Sequence, residues 1–244
     1  MEEDLRTALQ KILFLRDIKC IFCGKELDKD SRYCACSDCL KNLPFINQKE
    51  CQKCGEPIES LAEYCMSCKN HVDRGFDKAR AVFLYDGEIV GAIARFKFFG
   101  ERYLGEYLSK FLLDKYITEN FCDDVVVPAP ISQKRAKSRG YNQSELLCDA
   151  FQKYGMKVDT TSLAKILETK DQVGLGYKDR QQNLVGAFKV LDKRAIMGKK
   201  ILLVDDIFTT GATATEISEI LKKAGANRVD VLTLCHQMPK DKKN

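Results

Sequence analysis

The chain has 244 residues, a hydrophobic content of 45% and a formal net charge of +5. That length allows one large domain or a small one beside a medium one, with apolar residues enough for a packed core. No run of about 18 apolar residues is available to span a bilayer, and the acidic start Glu2, Glu3, Asp4 is unlike an export leader, so a cytoplasmic protein is expected. The mild positive charge permits nucleic-acid binding without arguing for it.

Residues 1–17 set Leu5, Ala8, Leu9, Ile12, Leu13 and Leu15 on a helical stripe, suited to packing on a neighbouring module or a partner chain. Nine of the twelve cysteines then fall between Cys20 and Cys68. Eight of them pair as C-x-x-C: Cys20/Cys23, Cys36/Cys39, Cys51/Cys54 and Cys65/Cys68. Without an export signal these thiols stay reduced, so the spacing predicts two closed, structural zinc sites of four thiolates each. Gly24 and Gly55 extend two knuckles to C-x-x-C-G, as a tight turn requires. Cys34 is left over, as a bystander or as a ligand in place of Cys36; His71 is expected at a surface or hinge. From Lys19 to Val72 there are eight Lys/Arg and eight Asp/Glu. Eight thiolates and two Zn(II) would make the segment acidic by about four charges, which suits a docking or orienting module better than a DNA clamp.

Asp73 to Asp77 marks a seam, giving an expected division into 1–17, 18–72 and 73–244. Ala79 to Tyr85 has strand character and Ile89 to Phe96 helical character. Lys97-Phe98-Phe99-Gly100 follows, an exposed lysine before two aromatics, then a helix through Leu104, Tyr107, Leu108, Phe111 and Leu112. Asp124 to Pro128 is a second buried-type strand. It leads into a cationic loop in which Lys134, Arg135, Lys137 and Arg139 supply four positive charges with no acid among them. Arginine forks there suit either a pyrophosphate or a nucleic-acid backbone. Gly140 and Tyr141 introduce a helix through Leu146, Leu147 and Ala150. Thr169 to Phe188, with Gly174 and Gly176 and little apolar periodicity, is expected to be a mobile lid with Arg180 and Asn183 as contacts. Val229 to Leu234 is a final strand, and Lys240 to Asn244 a short basic tail.

Between these lies Ile201 to Thr215. Ile201 to Val204 is an unalternating apolar run, as in a strand buried on both faces of a parallel sheet. It is expected to end at Asp205 and Asp206, on the carboxyl edge where open α/β sheets bind ligands. Thr209, Thr210, Gly211, Ala212 and Thr213 then open a helix through Ile217, Ile220, Leu221 and Ala224, with Gly225 as its stop. A small hydroxyl-rich turn at a helix N-terminus is an anion site. Carboxylates beside it would repel a phosphate unless they face another part of the ligand. A ribose 5-phosphate satisfies this: the loop takes the phosphate, and the acids accept hydrogen bonds from the 2- and 3-hydroxyls.

The Asp-Asp-x-x-Thr-Thr-Gly-x-Thr segment resembles the phosphoribosyl pyrophosphate (PRPP) signature of type I phosphoribosyltransferases. Together with the cysteine knuckles, K-F-F-G at Lys97, V-P-A-P with R-x-x-x-R-G-Y-N-Q from Arg135, and T-x-x-Q-x-x-L with R-x-x-N from Thr169, the chain resembles the competence-associated ComF family. The resemblance implies an α/β type I phosphoribosyltransferase fold, mainly a parallel sheet flanked by helices, behind a double zinc ribbon. It also implies single-stranded DNA uptake in natural transformation beside a competence helicase at the inner face of the membrane. In a catalytic site, Asp205 and Asp206 would hold the ribose, Mg(II) would bridge pyrophosphate and ribose oxygens, and Arg135 and Arg139 would neutralise the leaving pyrophosphate. Lys97 would join the phosphate contacts. No stretch announces a base pocket, so three readings stay open: a single-stranded DNA binder, a working transferase, and a PRPP-responsive duplex-DNA regulator. For the first, Phe98, Phe99 and Tyr141 would stack on bases beside Lys134, Arg135, Lys137, Arg139 and Arg180.

Overall fold

The computed structural model describes residues 18–27, 31–58, 61–70, 74–168 and 183–238. The expected helix at 1–17, His71, residues 169–182 with Arg180, and the basic tail lie outside the described residues. Four parallel strands form the main sheet: β1 (Lys78–Leu84), β2 (Val125–Pro128), β5 (Lys200–Phe208) and β6 (Arg228–His236), in the spatial order β1-β6-β5-β2. A short antiparallel pair, β3 (Leu163–Lys165) and β4 (Phe188–Val190), lies apart from it.

The two central strands are apolar at consecutive positions because both faces are covered. Ile201, Leu203, Val229 and Val231 share one core with Ile217 and Leu221 of helix α8 (Ala212–Lys223). Leu202, Val204, Leu232 and Leu234 share the other with Ile93 of α3 (Glu88–Phe98) and with Leu108 and Leu112 of α4 (Leu104–Thr118). Each such fully buried aliphatic side chain contributes about 1.5–3 kcal/mol.

β5 runs further than its sequence suggests. Its pairing with β6 continues through Asp205↔Thr233 to Phe208↔His236, whereas β2 stops at Pro128 opposite Val204. The two carboxylates therefore lie inside a strand, on the stretch that has lost its β2 neighbour. An acid pair looks like a strand end in sequence, but one ladder suffices to extend the strand here.

The cysteine-rich segment is joined to this sheet. Along the outer edge of β1, Ile46 N donates to the Val82 carbonyl at 3.0 Å, Leu84 N to that of Pro44 at 2.8 Å, and Ala79 N to that of Lys53 at 2.8 Å. An edge strand that would otherwise expose its backbone is thereby covered. Glu50 adds ion pairs to Lys115 at 2.9 Å and to Arg80 at 3.8 Å. The helices of this segment are short: α1 (Ser37–Asn42) and α2 (Met66–Asn70).

The predicted cationic loop is instead a helix, α5 (Gln133–Arg139), capped by the Ser132 hydroxyl, which accepts from Arg135 N at 3.4 Å, and closed by Gly140 at φ 79°. None of its residues is buried, so no apolar period marks it in sequence. The next expected helix is divided into α6 (Gln143–Leu146) and α7 (Asp149–Lys153).

Candidate functional site

Asp205 and Asp206 have different surroundings. Asp205 accepts from the Ser144 hydroxyl at 3.0 Å, and burial first, then the neighbouring Asp206 carboxylate, push its pKa up to about 7. Asp206 is buried and pairs with Lys97 Nζ at 2.9 Å; its Oδ2 is buried with no hydrogen-bond partner among the described residues. Lys97 is thus no free surface cation as its sequence context suggests, since the end of α3 carries its ammonium onto Asp206.

β5 ends at Phe208, and Thr209 and Thr210 lead to Gly211 at φ 81°, from which α8 departs. Among the described residues no side chain caps this helix at Gly211; Ala212 N donates to Thr210 Oγ1 at 3.4 Å. A helix N-terminus without an N-cap side chain suits an anion. Asp205, Thr209, Gly211 and Thr213 line one cleft with Leu203 and Ile207. Gly211 is required twice: its φ is left-handed, and a Cβ there would come within 2.6 Å of the Phe208 ring and 2.8 Å of Arg74 Nη1.

The cations divide into two groups. Lys134, Arg135 and Lys137 are exposed on α5. Arg139 is half-buried, donates to the Gln143 side-chain oxygen and sits 5.5 Å from the Phe98 ring centre; burial lowers its pKa. Phe98 and Phe99 are 72% and 74% exposed. Tyr141 is not available for stacking. It is 7% exposed, its hydroxyl donates to the Phe96 carbonyl, and its ring packs on Phe96 because α3 closes over it.

Three residues near the site were not expected. Ser144 carries no motif of its own. Arg74 lies in the seam, where it is buried and donates to the Thr210 carbonyl at 3.0 Å. Lys165 stands on β3 with its ammonium 5.5 Å from the Phe188 ring; burial lowers its pKa, and Asp205 and Arg135 are within electrostatic reach. A three-residue strand leaves too little periodicity to detect, although a basic residue in an apolar segment is a usable signal.

The cysteines converge as two sets of four, Cys20/Cys23/Cys36/Cys39 and Cys51/Cys54/Cys65/Cys68, each with its sulfurs within 4.8 Å of one another. Sulfur separations of 3.7 Å for Cys23–Cys36 and 3.6 Å for Cys54–Cys65 match the spacing of about 3.8 Å that tetrahedral zinc–thiolate bonds impose. Cys34 stands outside both sets, its Sγ on the Lys19 carbonyl at 3.2 Å, so Cys36 is the fourth sulfur of the first cluster. No described helix is long and apolar enough to cross a membrane.

The double zinc ribbon domain family matches residues 9–69, and the phosphoribosyl transferase domain family matches residues 156–244. Competence protein F of Haemophilus influenzae is 30% identical over 227 residues, covering 88% of this chain and 95% of that protein. Competence protein ComFC of Streptococcus pneumoniae is 29% identical over 233 residues, covering 89% and 99%. DNA utilization protein YhgH of Salmonella typhimurium is 31% identical over 157 residues, 64% of each chain.

Proposed function

The chain belongs to the ComF family of competence proteins, and from that premise we propose that it binds single-stranded DNA during uptake and carries a PRPP site worked with Mg(II). What supports the site most is one juxtaposition: the buried Asp206 Oδ2 has no hydrogen-bond partner among the described residues, and the adjacent Asp205 lines one cleft with Thr209, Gly211 and Thr213 at the start of α8. A ribose 5-phosphate meets both needs, since its hydroxyls donate to the carboxylates and its phosphate accepts from the Thr209–Thr213 amides and hydroxyls. Asp205 and Asp206 would hold Mg(II) directly or through water, and the ion would supply charge neutralisation for the phosphates. Arg135 and Arg139 neutralise the distal phosphates, and Lys97 stays paired with Asp206 or moves onto the pyrophosphate.

The DNA face is the exposed Phe98–Phe99 pair beside α5, on which Lys134, Arg135 and Lys137 are exposed and Arg139 packs on the Phe98 ring. Aromatic rings stack on unpaired bases while Lys134, Arg135, Lys137 and Arg139 follow the backbone. This suits a cytoplasmic protein that receives a strand from a competence helicase at the inner face of the membrane. Binding then weakens steeply with salt and favours single strands over duplex; an equal or stronger affinity for duplex DNA favours the regulator instead.

Calorimetric titration of PRPP with Mg(II) tests the site. The wild type binds and the Asp205→Asn, Asp206→Asn double variant does not; a wild type that binds no PRPP ends the phosphoribosyl reading. A working transferase is the second reading, favoured because the acid pair and the Thr-Thr-Gly turn are both intact. Release of pyrophosphate with a panel of bases or ammonia distinguishes it from a binding site.

A further inference from the structure

One side chain joins the second cysteine cluster to the phosphate loop. Arg74 is only 2% exposed. Its Nη1 donates to the Thr210 carbonyl at 3.0 Å, and its Nη2 donates to the Ser67 hydroxyl. Ser67 stands on α2 between Cys65 and Cys68, inside a metal knuckle. Thr210 is the residue before Gly211, whose missing Cβ leaves room for the same guanidinium at 2.8 Å. The surrounding packing is continuous: Cys51, Cys54, Cys65 and Cys68 share a core with Phe76, Phe208 and Ala212, and Phe76 meets the Phe208 ring edge-on at 6.0 Å.

Burying a guanidinium costs several kcal/mol unless its charge and donors are met. A cluster of four thiolates around Zn(II) carries two net negative charges, so the loaded knuckle is a fitting neighbour. The planar fork of arginine donates in two directions at once, here to the knuckle and to the loop. An ammonium is a point charge and cannot hold both ends in one geometry. The first cluster packs with Ala35 and, at its margin, Phe22, Leu27, Tyr33 and Leu40, and the arginine that reaches its knuckle, Arg95, joins the Ile21 carbonyl to Glu101 rather than to the Thr209–Thr213 turn.

We propose that Arg74 is a positioning residue for the phosphate loop, held in place by the metal-loaded second cluster, so that ligand binding at Thr209–Thr213 depends on that cluster and not on the first. The ligand half rests on the PRPP reading above; the effect on the loop does not.

The test uses the full, zinc-loaded chain and compares wild type with Arg74→Lys, Ser67→Ala and Arg95→Lys. Arg95 is the matched control, because it forks in the same way between Glu101 and the Ile21 carbonyl of the first module. Amide hydrogen exchange without ligand is read over residues 208–214. Loss of a charge-assisted hydrogen bond speeds exchange there about tenfold in Arg74→Lys, less in Ser67→Ala, and not in Arg95→Lys. PRPP–Mg(II) affinity falls by a similar factor in the first variant while two zinc ions per chain are retained. Unchanged exchange in Arg74→Lys with zinc retained overturns the proposal. If that variant does not fold or loses zinc, Ser67→Ala decides: faster exchange supports the proposal, and none overturns it. If the wild type binds no PRPP, the phosphoribosyl reading fails and the exchange comparison alone judges the role of Arg74.

Discussion

Cys20, Cys23, Cys36 and Cys39 form a satellite at the surface, with Cys23 exposed and a small core of their own. Cys51, Cys54, Cys65 and Cys68 are all buried, inside the same apolar cluster as β5 and the start of α8. The two sets share spacing, ligand type and sulfur geometry, yet one keeps a small core of its own and the other is built into the core beneath β5 and α8. Knuckle chemistry therefore specifies how a metal is held. What the metal holds in turn is set by the neighbours: the edge of β1, Arg74 and Phe76 around the second set.

The largest effect expected from this contrast is on folding. Replacing Cys51 and Cys54 by serine removes ligands from the shared core and costs more than about 5 kcal/mol, enough to leave little folded protein. Replacing Cys20 and Cys23 leaves the sheet folded and PRPP binding intact. Thermal unfolding with zinc analysis checks both, and equal losses from the two pairs would end the distinction.

The glycines that follow the two knuckles sharpen it at a smaller scale. Gly24 and Gly55 both adopt left-handed φ, 76° and 71°. Alanine at either costs about 1–2 kcal/mol in backbone strain. A Cβ at Gly24 meets nothing within 4 Å, whereas at Gly55 it would lie 2.8 Å from the Ala79 carbonyl of β1. Gly55→Ala should thus lose about 3 kcal/mol or more in denaturant unfolding, and Gly24→Ala less than half of that.

A third, smaller effect is on pH dependence. Burial and Asp206 raise the Asp205 carboxyl to about 7, so below that pH one of its oxygens becomes a donor and it loses the charge and acceptor sites that ribose hydroxyls use. PRPP–Mg(II) affinity should fall as pH falls through 7, about tenfold between pH 8 and pH 6. The slope should flatten in Asp205→Asn and persist when the first cluster is disrupted. Stability has the opposite sign: a carboxyl raised above 3.8 contributes stability at low pH that is lost as pH rises through about 7. A binding profile that is the same in wild type and Asp205→Asn would remove this carboxyl from the site.

Much of this organisation was legible beforehand. Seven of the eight clustered cysteines follow from spacing, the eighth being Cys36 or Cys34, and the buried central strands follow from apolar runs too short for helices. Other features were hidden because they depend on what lies opposite. Nothing in Asp205-Asp206 says that β6 keeps pairing beyond the end of β2, and nothing in Phe98, Phe99 and Tyr141 says which ring α3 will cover. The helix α5 could not be seen, since a helix that buries no residue has no apolar stripe. Cys34 and Cys36 were separable only in space: Cys34 takes a left-handed φ of 52° and turns its sulfur to a carbonyl.

By itself, the sequence determined the chemistry available: thiolates at metal spacing, a strand and helix flanking a threonine-glycine turn, two acids beside it, and a run of cations. Those follow from local patterns, because backbone period and ligand spacing are properties of a few neighbouring residues. Tertiary structure alone decided which groups meet. It set Lys97 against Asp206, Ser144 against Asp205, and Arg74 between Ser67 and Thr210. All but Ser67 and Arg74 lie far apart in the chain, and the burial of apolar faces that brings them together is blind to the polar partners it creates.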